Sequence, residues 1–270
     1  MLFAQQAFAG PWLTSLNAAQ KQAKAKNELI FVDLFADWCG WCHRMEQEVF
    51  PSEAFQDATA NKVHLRLNTE DGGEGTRLAQ NFSVTTLPTF LLLTPDLTVA
   101  GVIHGYLPAK PFVESMADVE KEYQKFLKQI AGEPNERDPA RRLELAKEFR
   151  ERYAYTESEK RLLKLVQDPK LPPDVRDEAY YELALTQVMT RQYDDALKTL
   201  GKFATFQNKG DLFERSRLLA GDVYVQQGDY RGAVKEFQAF KAAFPRSQYI
   251  PNIDAVLPQL QKRVAAGRVQ

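Results

Sequence analysis

The only two cysteines of this chain fall within four residues, Cys39-Gly40-Trp41-Cys42, directly after the apolar run Leu29-Ile30-Phe31-Val32-Asp33-Leu34-Phe35. A scaffold held by disulfides between distant segments is therefore excluded, because it would need cysteines spread along the chain. The fold must come from hydrophobic burial. At 270 residues, with 44% apolar and 26% charged side chains, the chain has enough for two compact domains. The run before the cysteines is rich in β-favouring apolar types, the pattern of a central strand buried on both faces. From Trp41 to Phe50 the spacing turns helical, with Met45 and Val49 on one side, so the cysteines sit where a strand gives way to a helix. A pair so placed is reactive, metal-binding or cofactor-linking rather than architectural.

Composition removes other classes. No stretch of 18 uncharged apolar residues is present that would cross a bilayer. Lys plus Arg number 35 against 36 for Asp plus Glu, so no global field gathers nucleic acid or coats a lipid surface. Met1 to Ala9 ends in Ala-Phe-Ala before Gly10, like the close of a secretory signal, yet lacks a basic front and is broken by Gln5 and Gln6. Residues 1–11 are read as a signal remnant or an N-terminal arm. The first reading places the protein in the periplasm or otherwise outside the cytoplasm.

Trp12, Leu16, Ala19 and Ala23 predict a helix over 12–26. Further strands are predicted at 63–68, 89–93 and 99–104, the last two as a hairpin, with a loop at 70–75 and a helix over 76–82 between them. Phe112, Val113, Met116, Val119, Tyr123, Phe126, Leu127 and Ile130 hold a 3.6-residue period over 108–131, with Gly132 as the expected C-terminal cap. Alternating helices and strands make 12–131 an α/β domain. The polar segment 132–139, punctuated by Pro134 and Pro139, reads as a linker, and 140–270 as all-helical.

The helical half repeats itself. Ala146, Ala184 and Gly221 are each followed nine residues later by a tyrosine, at Tyr155, Tyr193 and Tyr230, giving periods of 38 and 37 residues. The third copy, with Gly221, Tyr224, Gly228-Asp229-Tyr230, Ala233, Phe237, Phe240 and Pro245, resembles the tetratricopeptide repeat. Copy two keeps Ala184, Tyr193, Ala196 and Phe203 but has Gln187 and Arg191 for Tyr and Gly. Copy one places Ser158 where Ala is usual. In that family the small residues permit close helix crossings. The resemblance implies a concave face that takes a peptide or protein partner, with Glu178, Tyr181, Leu185, Val188 and Met189 facing it in copy two. Packing on a neighbouring helix is the other reading of these positions. Residues 249–266 are read as a capping helix.

Cys39, at the helix N-terminus, is the expected nucleophile, since unpaired backbone N–H groups and the helix dipole favour its thiolate. Cys42, three residues on, is placed to displace a substrate from a mixed disulfide. Exchange of this kind needs no cofactor and no metal, but it requires Cys39 to be reachable. Cys-x-x-Cys-His is also the attachment signature of c-type haem, but the apolar strand and the Leu-Pro-Thr segment have no role there. Two cysteines with His43 leave a zinc site one ligand short, and His64 and His104 read as ordinary strand residues.

Residues 31–42, through Asp33, Trp38, Gly40 and Trp41, resemble the strand and active site of the thioredoxin superfamily, and the likeness covers about 1–130. Thr86-Leu87-Pro88-Thr89 matches that family's cis-proline loop, and Gly105 the glycine at the groove edge. Trp12 and Glu48-Val49-Phe50 make it most similar to a bacterial, secreted or membrane-tethered branch. The resemblance implies thiol-disulfide exchange on protein disulfides or dithiols. Thr86, Leu87, Pro88 and Gly105 would receive an extended substrate, and Asp33 would pass protons to and from the second thiol. Arg66 stands where the family often has Lys, Trp41 where reducing members have Pro, and His43 where Lys is usual. His43 is either a thiolate-stabilising imidazole or a plain exposed residue. The rival reading is a redox-inactive adaptor in which the repeats assemble partners.

Overall fold

A computed structural model describes residues 11–202 and 210–267. The secretion-like stretch at Met1–Gly10 and Phe203 of the second repeat lie outside these residues. The chain forms two compact units: one from the segment ending at Pro134 together with Glu151–Ala154, the other from Asn135–Arg150 and the chain from Tyr155 onward.

The first unit is built on four strands, β1 (Leu29–Phe35), β2 (Lys62–Asn68), β3 (Thr89–Leu93) and β4 (Val99–His104), in the order β2-β1-β3-β4. β1 pairs parallel with β2 and antiparallel with β3, and β3 and β4 form the expected hairpin. Parallel pairing of β1 with β2 needs a crossover. It is supplied by α2 (Gly40–Arg44), a π-helical turn (Met45–Val49) and α3 (Glu53–Thr59). Alternation along β1 sends Ile30, Val32 and Leu34 to a face shared with Leu65, Leu91, Leu93 and the alanines of α1 (Leu16–Lys26). Phe31 faces the other way, stacked on Phe90 at 5.7 Å and ringed by Phe55 and Phe112, the last from α5 (Ala109–Gly132).

Three expectations are corrected. The first helix starts at Leu16, not Trp12, because Leu13 bridges to β2: its N–H donates to the His64 carbonyl and its own carbonyl accepts from Arg66, both at 2.9 Å. Trp12 instead packs 5.1 Å from both Phe50 and His64. The helix expected at 76–82 is α4 (Glu74–Asn81), drawn forward because the Asp71 carboxylate accepts the backbone N–H groups of Gly73, Gly75 and Thr76. Gly132 is no left-handed cap. It ends α5 in helical geometry, and a 3₁₀ turn over Glu133–Asn135 continues the chain. Residues 151–154 complete this unit, with the Arg152 guanidinium donating to the carbonyls of Val99 and Ala100.

Among the described residues the second unit is all-helical: α6 (Pro139–Glu151, its last residue counted with the first unit), α7 (Tyr155–Val166), α8 (Pro173–Met189), α9 (Tyr193–Gly201), α10 (Asp211–Gln227), α11 (Tyr230–Ala243) and α12 (Ile250–Ala266). The small-residue positions are close crossings: a Cβ on Gly221 would fall 2.3 Å from the Phe237 ring. The departures from the repeat pattern also have local reasons. Gln187 is buried and its side-chain carbonyl accepts from the Thr199 hydroxyl at 2.8 Å. Buried Ser158 donates to the Ala146 carbonyl at 2.8 Å, tying α7 to α6. Two residues before each repeat tyrosine the backbone is left-handed, at Tyr153 (φ 60°), Arg191 (φ 60°) and Gly228 (φ 80°). Of the supposed groove positions, Tyr181 and Leu185 pack in one cluster with Leu212 and Phe213, Val188 packs by Ala196 and Val223, and Glu178 pairs with Lys147, leaving Met189 exposed.

Candidate active site

β1 ends at Phe35, and a tight turn, with the Cys39 N–H donating to the Ala36 carbonyl at 3.0 Å, delivers Cys39 to the N-cap of α2. Its sulfur accepts the Cys42 N–H at 3.1 Å, an N–H of the first turn that it shares with the Cys39 carbonyl at 3.0 Å. The two sulfurs are joined as a disulfide of 2.05 Å, packed against Ala36, Phe35 and Leu87. In this oxidised pair Cys39 is 3% exposed and Cys42 1%. Cys39, which exchange requires to be reachable, is thus nearly enclosed in the oxidised form, while its neighbours Trp38 and Trp41 are 69% and 53% exposed.

The Leu87–Pro88 bond is cis, and Leu87 touches the disulfide cluster, so the structure brings the predicted proline loop to the dithiol. Gly105 takes φ 77°, a region that favours glycine, and its N–H donates to the Pro88 carbonyl at 2.8 Å. The Thr86 carbonyl accepts the Thr89 hydroxyl at 2.7 Å, and that hydroxyl lies 3.2 Å from His104 Nδ1. His64 is buried among the rings of Trp12, Phe31 and Phe55.

Asp33 is 1% exposed, and burial pushes its carboxyl up to about 7 against the opposing charge of Arg66, whose Nε lies 3.0 Å from Asp33 Oδ2. Arg66 also pairs with Glu46, and its guanidinium lies 4.1 Å from the Phe35 ring centre. His43 donates from Nε2 to the Asp37 carbonyl at 2.9 Å, with Nδ1 3.9 Å from Glu46. Trp38 is held by its indole N–H, which donates to Glu70 at 2.8 Å. The sequence reading did not single out Glu46, Glu70, Arg44 or Tyr106. Only the four-residue spacing of Arg44 and Glu48, which form a 2.7 Å ion pair, was a readable signal.

A mixed four-stranded sheet whose central strand runs into a Cys-x-x-Cys disulfide, faced by a cis-proline loop, defines a thioredoxin-like domain. The thioredoxin-like domain family matches residues 16–120, and the tetratricopeptide repeat-like domain family matches 112–261. The second match spans more than half of the 270 residues, and the chain belongs to that family, with the thioredoxin-like domain placed before it. Similar proteins include the thiol:disulfide interchange protein DsbD of Pseudoalteromonas atlantica, 34% identical over 95 residues, which are 33% of this chain and 16% of that protein. The namesake from Yersinia enterocolitica is 32% identical over 110 residues, 40% of this chain and 19% of that one. The chain thus spans less than a fifth of the length of these curated relatives. A solved structure of a DsbH oxidoreductase aligns with TM-score 0.39 and 16% identity over 45% of this chain and 92% of that chain. Among the described residues no helix is long and apolar enough to cross a membrane.

Proposed function

We propose that this protein is a thiol-disulfide oxidoreductase acting on protein clients. The observation that carries the reading is the Cys39–Cys42 disulfide at the start of α2, with Cys39 Sγ accepting a helix-end N–H. In the reduced form the Cys39 thiolate attacks a client disulfide, forming a Cys39–client bond and breaking the client S–S bond. One client sulfur leaves as a thiolate and takes up a proton. Cys42 then loses its proton and attacks Cys39 Sγ, re-forming the intramolecular disulfide and releasing the second client sulfur, so the client gains two electrons and the dithiol gives up two. Asp33, titrating near neutrality, is the proton acceptor we assign to Cys42, because a base works best when its pKa lies near the working pH. The reverse sequence donates the disulfide, the direction being set by the partner's potential.

Thr86, Leu87, Pro88 and Gly105 supply the backbone along which an extended client segment lies, and the repeat-like domain holds clients or an assembling partner. The named relatives act in thiol:disulfide interchange, and we place the protein outside the cytoplasm on that likeness. Turnover of a protein disulfide by the full chain tests the reading. Cys39→Ser should abolish it and Cys42→Ser should trap covalent client adducts. Undiminished turnover by Cys39→Ser would sink it and leave the adaptor role, in which the repeats alone recruit partners.

A further inference from the structure

One surface cluster beside the disulfide takes part in none of these steps: Trp41, Arg44, Glu48 and Tyr106. The Trp41 and Tyr106 rings stack at 5.3 Å and 30°. The Arg44 guanidinium lies 4.8 Å from the Tyr106 ring centre and 5.6 Å from that of Trp41. Glu48 holds both supports, pairing with Arg44 at 2.7 Å and accepting the Tyr106 hydroxyl. The cluster joins two separate segments, since Trp41, Arg44 and Glu48 follow Cys39 in sequence whereas Tyr106 comes from the loop after β4.

Three features give this arrangement a purpose. First, Trp41 stays 53% exposed although it is pinned from several sides, so the pinning presents the indole rather than burying it. Second, rings already held in place lose little conformational freedom when something binds them. Third, Arg44 and Glu48 neutralise each other, so the surface offered is ring area and not net charge. The position is also continuous with the exchange centre. Trp41 lies between the two cysteines in sequence, and Tyr106 follows Gly105, whose N–H is bonded to the Pro88 carbonyl.

We propose that Trp41 and Tyr106 form a specificity wall of the client groove, selecting segments with an aromatic or large aliphatic side chain next to the reacting cysteine. This rests on the exchange reading above and deepens it. Arg44 and Glu48 are positioning residues that hold the wall.

The test uses the reduced full-length protein and two synthetic peptides, each with its single cysteine in mixed disulfide with glutathione. They are identical except that the cysteine is flanked by leucines in one and by serines in the other. The readout is the single-turnover second-order rate constant for glutathione release, and the leucine-to-serine ratio is taken within each variant, so that changes in thiol reactivity cancel. The wild type is expected to favour the leucine peptide by about tenfold, in the range of an apolar side chain gaining an apolar contact. Tyr106→Ser and Trp41→Ser should each cut the ratio to about twofold or less, while Tyr106→Phe, which keeps the ring, retains most of it. Equal reaction with both peptides, or a ratio unmoved in both serine variants, overturns the proposal alone. Failure to react with either peptide overturns the exchange reading and this proposal with it.

Discussion

Arg66 sits directly opposite Asp33 in the register of the parallel β1–β2 pair, and its Nε lies 3.0 Å from Asp33 Oδ2. The only carboxylate in the central strand is thus buried against a cation that also pairs with Glu46 on the active-site helical segment. Burial outweighs this cation, since the carboxyl stays raised.

The raised carboxyl sets a pH dependence of stability. The unfolded chain releases the Asp33 proton near 3.8 and the folded chain near 7, so between these values the folded state holds more protons and stability falls as pH rises. Below the window both states are protonated; above it the loss is complete and constant. The gap corresponds to at most about 4 kcal/mol. Asp33→Asn should flatten this part of the profile and stabilise the oxidised protein at pH 8 relative to pH 4. Urea unfolding at the two pH values checks it, and an unchanged slope in the variant would refute the assignment.

Removing the cation should push Asp33 further up, because Arg66 is the group that opposes burial. Arg66→Met is expected to raise the Asp33 titration further above its value in the unchanged protein. Carbon-detected NMR of the Asp33 carboxyl in the oxidised protein measures it, and a downward move would show that the pairing had been misread.

Gly221→Ala tests the close crossing in the repeats. Three atoms of the buried Phe237 ring lie within 3.0 Å of the new methyl position. Overpacking of this kind costs about 1–3 kcal/mol, against a helix-propensity gain of about 1 kcal/mol. A net loss of up to about 2 kcal/mol is expected, read as a lower denaturation midpoint. A gain would mean that α10 and α11 do not approach as described.

Arg191→Gly should act in the opposite direction. Arg191 occupies the left-handed position that Gly228 fills in the next repeat. A non-glycine residue there costs about 1–2 kcal/mol, partly offset by the greater freedom of glycine in the unfolded chain. The expected result is a stabilisation of about 0.5–1 kcal/mol in thermal or denaturant unfolding, and a destabilised variant would contradict it.

Local pattern in the chain determined the order of elements, the change from an α/β to a helical region, the seat of Cys39 and Cys42 between a strand and a helix, and the repeat spacing marked by Tyr155, Tyr193 and Tyr230. These follow from side-chain periodicity and turn chemistry, which act over a few residues. Where long-range pairing competes with local preference the expected bound shifts, as two hydrogen bonds to β2 hold Leu13 out of α1; the early start of α4 is instead local, set by the Asp71 side chain accepting N–H groups two to five residues on. Only the tertiary structure decided that Arg66 faces Asp33, that Tyr106 stacks on Trp41, and that Gln187 meets Thr199. Each joins residues far apart in the chain, and the contact depends on strand register and helix packing rather than on any local signal. The near enclosure of Cys39 belongs to the same class, because Leu87, from a distant loop, packs beside it.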